Sequence, residues 1–164
     1  MKKLKIYLDT SVINFRFADD APEKKLITLE LFDKFVKTGI HEFYLSDVVF
    51  AEISATPDIE KRNKLLGVVT QYPLNQVPIQ SSDDIDLLAK TYISKGIFSP
   101  NKEADALHVA IATVNQMDIL LSWNYRHLAN IFRERRVLAE NLLLNFTHAF
   151  RIITPLELIG GEDE

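Results

Sequence analysis

The feature that most constrains this chain is the alternation of five short apolar runs with much longer stretches of helical periodicity. Residues 4–8 (L-K-I-Y-L), 42–45 (E-F-Y-L), 76–79, 119–122 (I-L-L-S) and 151–153 (R-I-I) read as strands. Between them the apolar residues return mostly every three or four positions, the spacing of one helix face. Strands and helices in alternation build a parallel sheet with helices on both faces, an α/β fold.

The helical segments carry their own start and stop signals. Pro22 opens one whose apolar residues include Leu26, Ile27, Leu29, Leu31, Phe32, Phe35 and Val36, and Gly39 ends it. Ser46-Asp47 is expected to cap the next, which runs through Glu52 and Ile53 and breaks at Thr56-Pro57. A third helix is expected over residues 59–69, and a fourth opens at Ser81-Ser82-Asp83 and closes at Lys95-Gly96. Residues 103–115, E-A-D-A-L-H-V-A-I-A-T-V-N, form an alanine-rich helix that is apolar over much of its circumference, hence buried against the sheet. Residues 131–145 form a charged helix with an apolar stripe. No linker rich in Gly, Ser or Pro interrupts the pattern, so one domain is expected over residues 1–159, followed by a flexible acidic tail at 160–164.

Composition excludes several chemistries. The absence of cysteine removes disulfides, thiolate metal sites and a cysteine nucleophile, so a metal would be held by oxygen or by the four histidines. His41, His108 and His148 have no mutual spacing that suggests zinc. No apolar run approaches the ~20 residues of a membrane span, and Met1-Lys2-Lys3 does not lead into a signal-peptide core, so a cytoplasmic protein is expected. A net charge of −4 argues against a broad nucleic-acid surface. A local basic rim could still come from Lys24, Lys25, Lys34 and Lys37, or from Arg126, Arg133, Arg135 and Arg136.

Three acids stand in informative contexts. Asp9 ends the first strand, and ligands of open α/β sheets bind outside the carboxyl ends of the strands. Glu52 lies in the apolar stretch V-V-F-A-E-I, and Asp105 lies in the first turn of the alanine-rich helix. Acids are seldom buried unless paired or coordinated. Each also has an ordinary reading: Asp9 as a cap, Glu52 as a solvent-facing residue, Asp105 as compensation for the helix dipole. As a set they form the oxygen-rich group a hard divalent cation selects. The block L-S-W-N-Y-R-H-L at 121–128 adds a strand end at Ser122 and Asn124, which caps or precedes a short helix.

Together D-T-S-V at Asp9, a glutamate after the second strand, A-D-A-L-H-V-A-I-A around Asp105 and this last block resemble the PIN-domain family of metal-dependent ribonucleases. The resemblance covers nearly the whole chain and is greatest to the small prokaryotic toxins of type II toxin–antitoxin pairs. It implies a PIN-like three-layer fold, with Asp9, Glu52 and Asp105 as ligands of Mg²⁺ or Mn²⁺ and an RNA substrate cut by a metal-activated water. It places Asn124 where many members have a fourth acid, which leaves a second metal open, with Glu103 as a candidate to compensate. Thr10 and Ser11 would be supporting hydroxyls near the substrate, and Trp123, Arg126 and His127 would grip it. A cognate antitoxin and a homodimer are implied as partners. Two rivals remain: a phosphatase of the haloacid-dehalogenase type, in which Ser11 stands where a second Asp is needed, and a noncatalytic PIN-like module that binds RNA or protein.

Overall fold

In the computed structural model, which describes residues 2–77 and 82–160, the apolar runs form one parallel sheet. Its strands are β1 (Lys5–Leu8), β2 (Glu42–Leu45), β3 (Leu74–Gln76), β4 (Ile119–Leu121) and β5 (Arg151–Ile153), in the order β3-β2-β1-β4-β5. The PIN-like α/β architecture expected from the sequence is the one observed. β1 is central because its residues are apolar on both faces: Ile6, Tyr7 and Leu8 are fully buried. The chain winds from β1 to β2 and β3 on one side, then crosses to β4 and β5 on the other. The order therefore reverses between β1 and β4, and a crevice opens outside their carboxyl ends.

Eight helices surround the sheet among the described residues: α1 (Thr10–Asn14), α2 (Pro22–Leu31), α3 (Asp47–Ser54), α4 (Ile59–Gln71), α5 (Ser82–Ser94), α6 (Glu103–Val114), α7 (Ile131–Leu143) and α8 (Pro155–Gly160). α6 is buried along Ala106, His108, Val109, Ala110, Ile111, Ala112 and Thr113, and α5 packs along it. A polar knot ties α5, α6 and α7 together: the Tyr92 hydroxyl donates to Asn141 Oδ1, and Asn141 Nδ2 donates to Thr113 Oγ1 at 3.0 Å. Among the described residues no helix is long and apolar enough to cross a membrane.

The differences from the sequence expectations are local. The third strand is Leu74–Gln76, two residues earlier than expected, and of its expected span Pro78 and Ile79 lie outside the described residues. The Pro22 helix passes into a π-helical turn, Phe32–Val36, before Gly39 ends it at a φ of 69° that favours glycine. Ser46 makes no side-chain cap bond to α3. Gly160, expected in the tail, is the last residue of α8, and residues 161–164 lie outside the described residues. Residues 125–130 make turns rather than a short helix, and it is Asn130 that caps the next helix, accepting from Arg133 N at 2.9 Å.

Candidate active site

The crevice between β1 and β4 brings the expected acids together. Asp9 leaves the sheet where its backbone N–H donates to Leu121 O at 3.2 Å. One carboxylate oxygen caps α1, accepting from Ser11 N at 3.1 Å and from the Ser11 hydroxyl. The other accepts from Ser122 Oγ at 2.6 Å. Asp9 is 4% exposed, and this burial pushes its carboxyl above the usual range. His108 and the two serine hydroxyls oppose that rise, and the negative charge of Asp105 adds to it.

Glu52, on α3, reaches the same place from the other side of β1. Its Oε1 accepts from Thr10 Oγ1 at 2.9 Å and shares a 2.6 Å hydrogen bond with His108 Nε2. His108 Nδ1 is 2.6 Å from the Tyr7 hydroxyl, which is 2.6 Å from Ser46 Oγ. The result is a chain of hydrogen bonds from the crevice into the core. Burial pushes the Tyr7 hydroxyl far above its usual pKa, so it stays protonated, with one hydrogen to give. Burial raises the Glu52 carboxyl, but the His108 hydrogen bond and charge, with the Thr10 hydroxyl, outweigh it and hold Glu52 below the usual range.

Asp105 sits half-buried in the first turn of α6. Burial raises its carboxyl; Glu52 raises it further, while His108, Lys102 and His127 oppose. Asn124 Nδ2 donates to Asp105 Oδ2 at 3.4 Å, and Asn124 Oδ1 accepts from His127 N at 3.1 Å. These two partners fix the amide orientation, since a flip would set oxygen against carboxylate and N–H against N–H. Asn124 thus meets the acids as a donor.

The other expected site residues divide. Thr10 and Ser11 donate to Glu52 and Asp9, and Ser11 Oγ also accepts from Trp123 N at 2.9 Å, so both position carboxylates. Trp123 is first a packing residue: it is 6% exposed and its indole N–H donates to Thr28 Oγ1 at 2.9 Å. With Ser11, Phe15, Asn124, Tyr125 and Arg126 it lines a shallow cleft of about 250 Å³. Lys24 Nζ lies over this cleft's aromatic rings, 4.9 Å from Tyr125, 5.4 Å from Phe15 and 5.7 Å from Trp123. His127 lines a different cavity. Glu103 is exposed and makes no hydrogen bond to these acids among the described residues.

Sequence reasoning missed His108, Tyr7, Ser46 and Ser122 as members of the site. The signal for His108 was its spacing, three residues after Asp105 and so on the same helix face. Treating it only as a zinc candidate concealed that.

In chemistry the acids are an all-oxygen set of the kind a hard divalent cation selects, in which the charge of Asp105 raises the Asp9 carboxyl and that of Glu52 raises the Asp105 carboxyl. Among the described residues no three His, Asp or Glu side chains form a group that could hold a metal ion.

No family model matches the sequence, and a search of the curated proteins finds no match. Solved structures match in fold. A chain of VapBC2 from Rickettsia felis, in a structure bound to a DNA fragment from the promoter, aligns with a TM-score of 0.56 at 13% identity over 92% of this chain and 98% of that chain. A chain of DNA-bound VapBC from Salmonella typhimurium aligns with a TM-score of 0.54, also at 13% identity, over 93% and 98%. At that identity the likeness is one of fold, and it agrees with the PIN-domain resemblance carried by the motifs.

Proposed function

We propose that the chain is a divalent-metal-dependent endoribonuclease and the toxin of a toxin–antitoxin pair. The observation that carries this reading is the meeting of Asp9, Glu52 and Asp105 at the reversal point of a parallel sheet, with two of the three carboxyls pushed up in pKa. Such a set disfavours its own charge and gains from a cation. Mg²⁺ or Mn²⁺ bound there would neutralise substrate phosphate and lower the pKa of the attacking water. Within the protein, Asp9, Glu52 and Asp105 are the oxygen donors. Ser11 and Ser122 hold Asp9, Thr10 and His108 hold Glu52, and Asn124 holds Asp105. The cleft at Trp123, Tyr125 and Arg126 offers aromatic edges and a cation to an unpaired RNA strand.

A cognate antitoxin fits the same site, because an arginine from a partner peptide could pair with carboxylates and exclude RNA. The VapBC complexes that share the fold support this, and a homodimer belongs to the same reading. One observation favours a second reading, a noncatalytic RNA- or protein-binding module: the acids are hydrogen-bonded to neighbours and form no metal-holding group among the described residues. The deciding experiment is cleavage of single-stranded RNA by purified, partner-free protein with Mg²⁺ or Mn²⁺, beside the Asp9→Asn, Glu52→Gln and Asp105→Asn variants. Metal-dependent cleavage lost in all three variants supports the nuclease. RNA binding without cleavage selects the module.

A further inference from the structure

We propose that the cavity beside Asp105 is a second RNA subsite, binding backbone phosphate of the strand outside the bond that is cut. This rests on the nuclease reading for its substrate but not for its geometry. The cavity holds about 430 Å³ between the α5–α6 connection and the start of α7. Lys102, His127, Arg133 and Arg136 line it, with Ser99 and Asn101, and no carboxylate does. In a chain with 23 acids against 19 lysines and arginines, partners for these cations are abundant. Yet none of the four is ion-paired among the described residues.

The cations are instead held toward one another. The Arg133 guanidinium packs 5.0 Å from the Phe98 ring centre, and Arg136 Nη2 donates to Lys95 O at 3.4 Å. Burial lowers the pKa of Arg133 and the charge of Arg136 lowers it further, while Asp105 opposes without offsetting them, the mark of two like charges close together with no ion-pair partner. Phosphate oxygens would relieve that repulsion, and guanidinium suits them by its fork of donors. Ser99 Oγ donates to Asn101 Oδ1 at 2.5 Å, which leaves the Asn101 amide N–H groups available to an acceptor.

The cavity also adjoins the acids. Lys102 and His127 both act on the Asp105 carboxyl, and Asp105 acts on Arg133. A strand whose phosphates lie on Arg133 and Arg136 would therefore pass Asp105. The sign change from cationic cavity to acidic crevice sets where backbone is gripped and where cation is needed. It also accounts for a binding surface on a chain whose net charge is −4, because the positive charge is local.

The test is anisotropy of a labelled short oligouridylate titrated with the full chain in chelator, where nothing is cut, across a salt series. For a single strand, log K against log salt has a slope of about −0.7 for each phosphate contact. Arg133→Gln and Arg136→Gln should each flatten the slope by about 0.7. Arg135→Gln, exposed on the same helix outside the cavity, should not. Arg133→Lys keeps the charge and should restore most of the slope, which separates lost contact from lost packing on Phe98. Equal slopes in wild type and both cavity variants would overturn the proposal, as would uridine monophosphate competing at concentrations below the oligonucleotide's. Wild-type protein that binds with the predicted slopes but never cleaves with Mg²⁺ or Mn²⁺ refutes the nuclease and leaves the subsite standing. Cleavage with unchanged slopes does the reverse.

Discussion

Replacing Asp9 and Glu52 by their amides should move the stability of the chelated protein in opposite directions. Asp9→Asn removes a charge that burial disfavours. The folded Asp9 pKa lies above its ordinary 3.8, so the folded protein binds more protons than the unfolded chain between those two values. Stability in chelator therefore falls as pH rises through the folded pKa, by about 1.4 kcal/mol for each unit of elevation. The amide abolishes this loss: its oxygen still accepts from Ser11, and its N–H₂ can donate to Ser122 Oγ. The variant should melt above wild type near neutral pH, with the gain shrinking on acidification.

Glu52→Gln should do the opposite. The folded Glu52 pKa lies below its ordinary 4.5, so its stabilisation is present above that value and is lost as pH falls through the folded one. Exchanging a charged for a neutral hydrogen bond to His108 costs about 1 kcal/mol. The Glu52 side chain is 38% exposed, so screening reduces this to roughly 0.5 kcal/mol, or about 1–2 °C in Tm for a domain of this size. The assay is thermal unfolding in chelator, near neutral and at mildly acidic pH. Asp9→Asn melting below wild type near neutral pH, or Glu52→Gln melting above it, refutes the electrostatic account of the site.

Tyr92→Phe leaves the buried Asn141 carbonyl without its hydroxyl donor and should cost about 1–3 kcal/mol by calorimetry, while Tyr92→Phe with Asn141→Leu should recover part of that loss. Asn124→Asp puts a carboxylate where an amide now donates to Asp105, so it should melt below wild type in chelator and gain more from Mg²⁺ or Mn²⁺; equal gains would remove Asn124 from the metal site. His108→Gln should lower Tm in chelator yet increase the further rise on adding Mn²⁺, since Glu52 is then less tightly held; a smaller rise would mean that His108 presents Glu52 to the cation rather than competing for it.

What the sequence disclosed depended on how local the determinant was. The strands and the buried α6 were legible because runs such as I-Y-L and A-L-H-V-A-I-A state their burial within a few residues. The short α1 was missed, as T-S-V-I-N is too brief to show a period, and α8 was missed because its signal begins only at Pro155. The meeting of Asp9, Glu52 and Asp105 was anticipated through motif order. Ser11 was expected beside Asp9 and does donate to it, but the distant partners were not anticipated, because they come from other elements: Ser122 reaches Asp9 across 113 positions and His108 reaches Glu52 across 56. Ser46 shows the same limit. A serine before a helix reads as a cap, whereas here its hydroxyl is 2.6 Å from that of Tyr7, 39 positions away.

The placement of β1 at the centre of the sheet also sets the order in which the crevice can form. Asp9 is held by Leu121, the last residue of β4, and by Ser122 just after it, 113 positions along the chain, and the Ser122 N–H is in turn satisfied by Ile153 O at 3.0 Å. A growing chain emerges from its amino end, so β1 must wait for one of its two neighbours until β4 has been made. Pairings so distant in sequence also form late in refolding, because a long loop must close before they repay it. An incomplete chain that ends before residue 119 carries Asp9, Glu52 and Asp105 without the strand that fixes the first of them. The three acids therefore all precede in sequence the strand that organises the first of them.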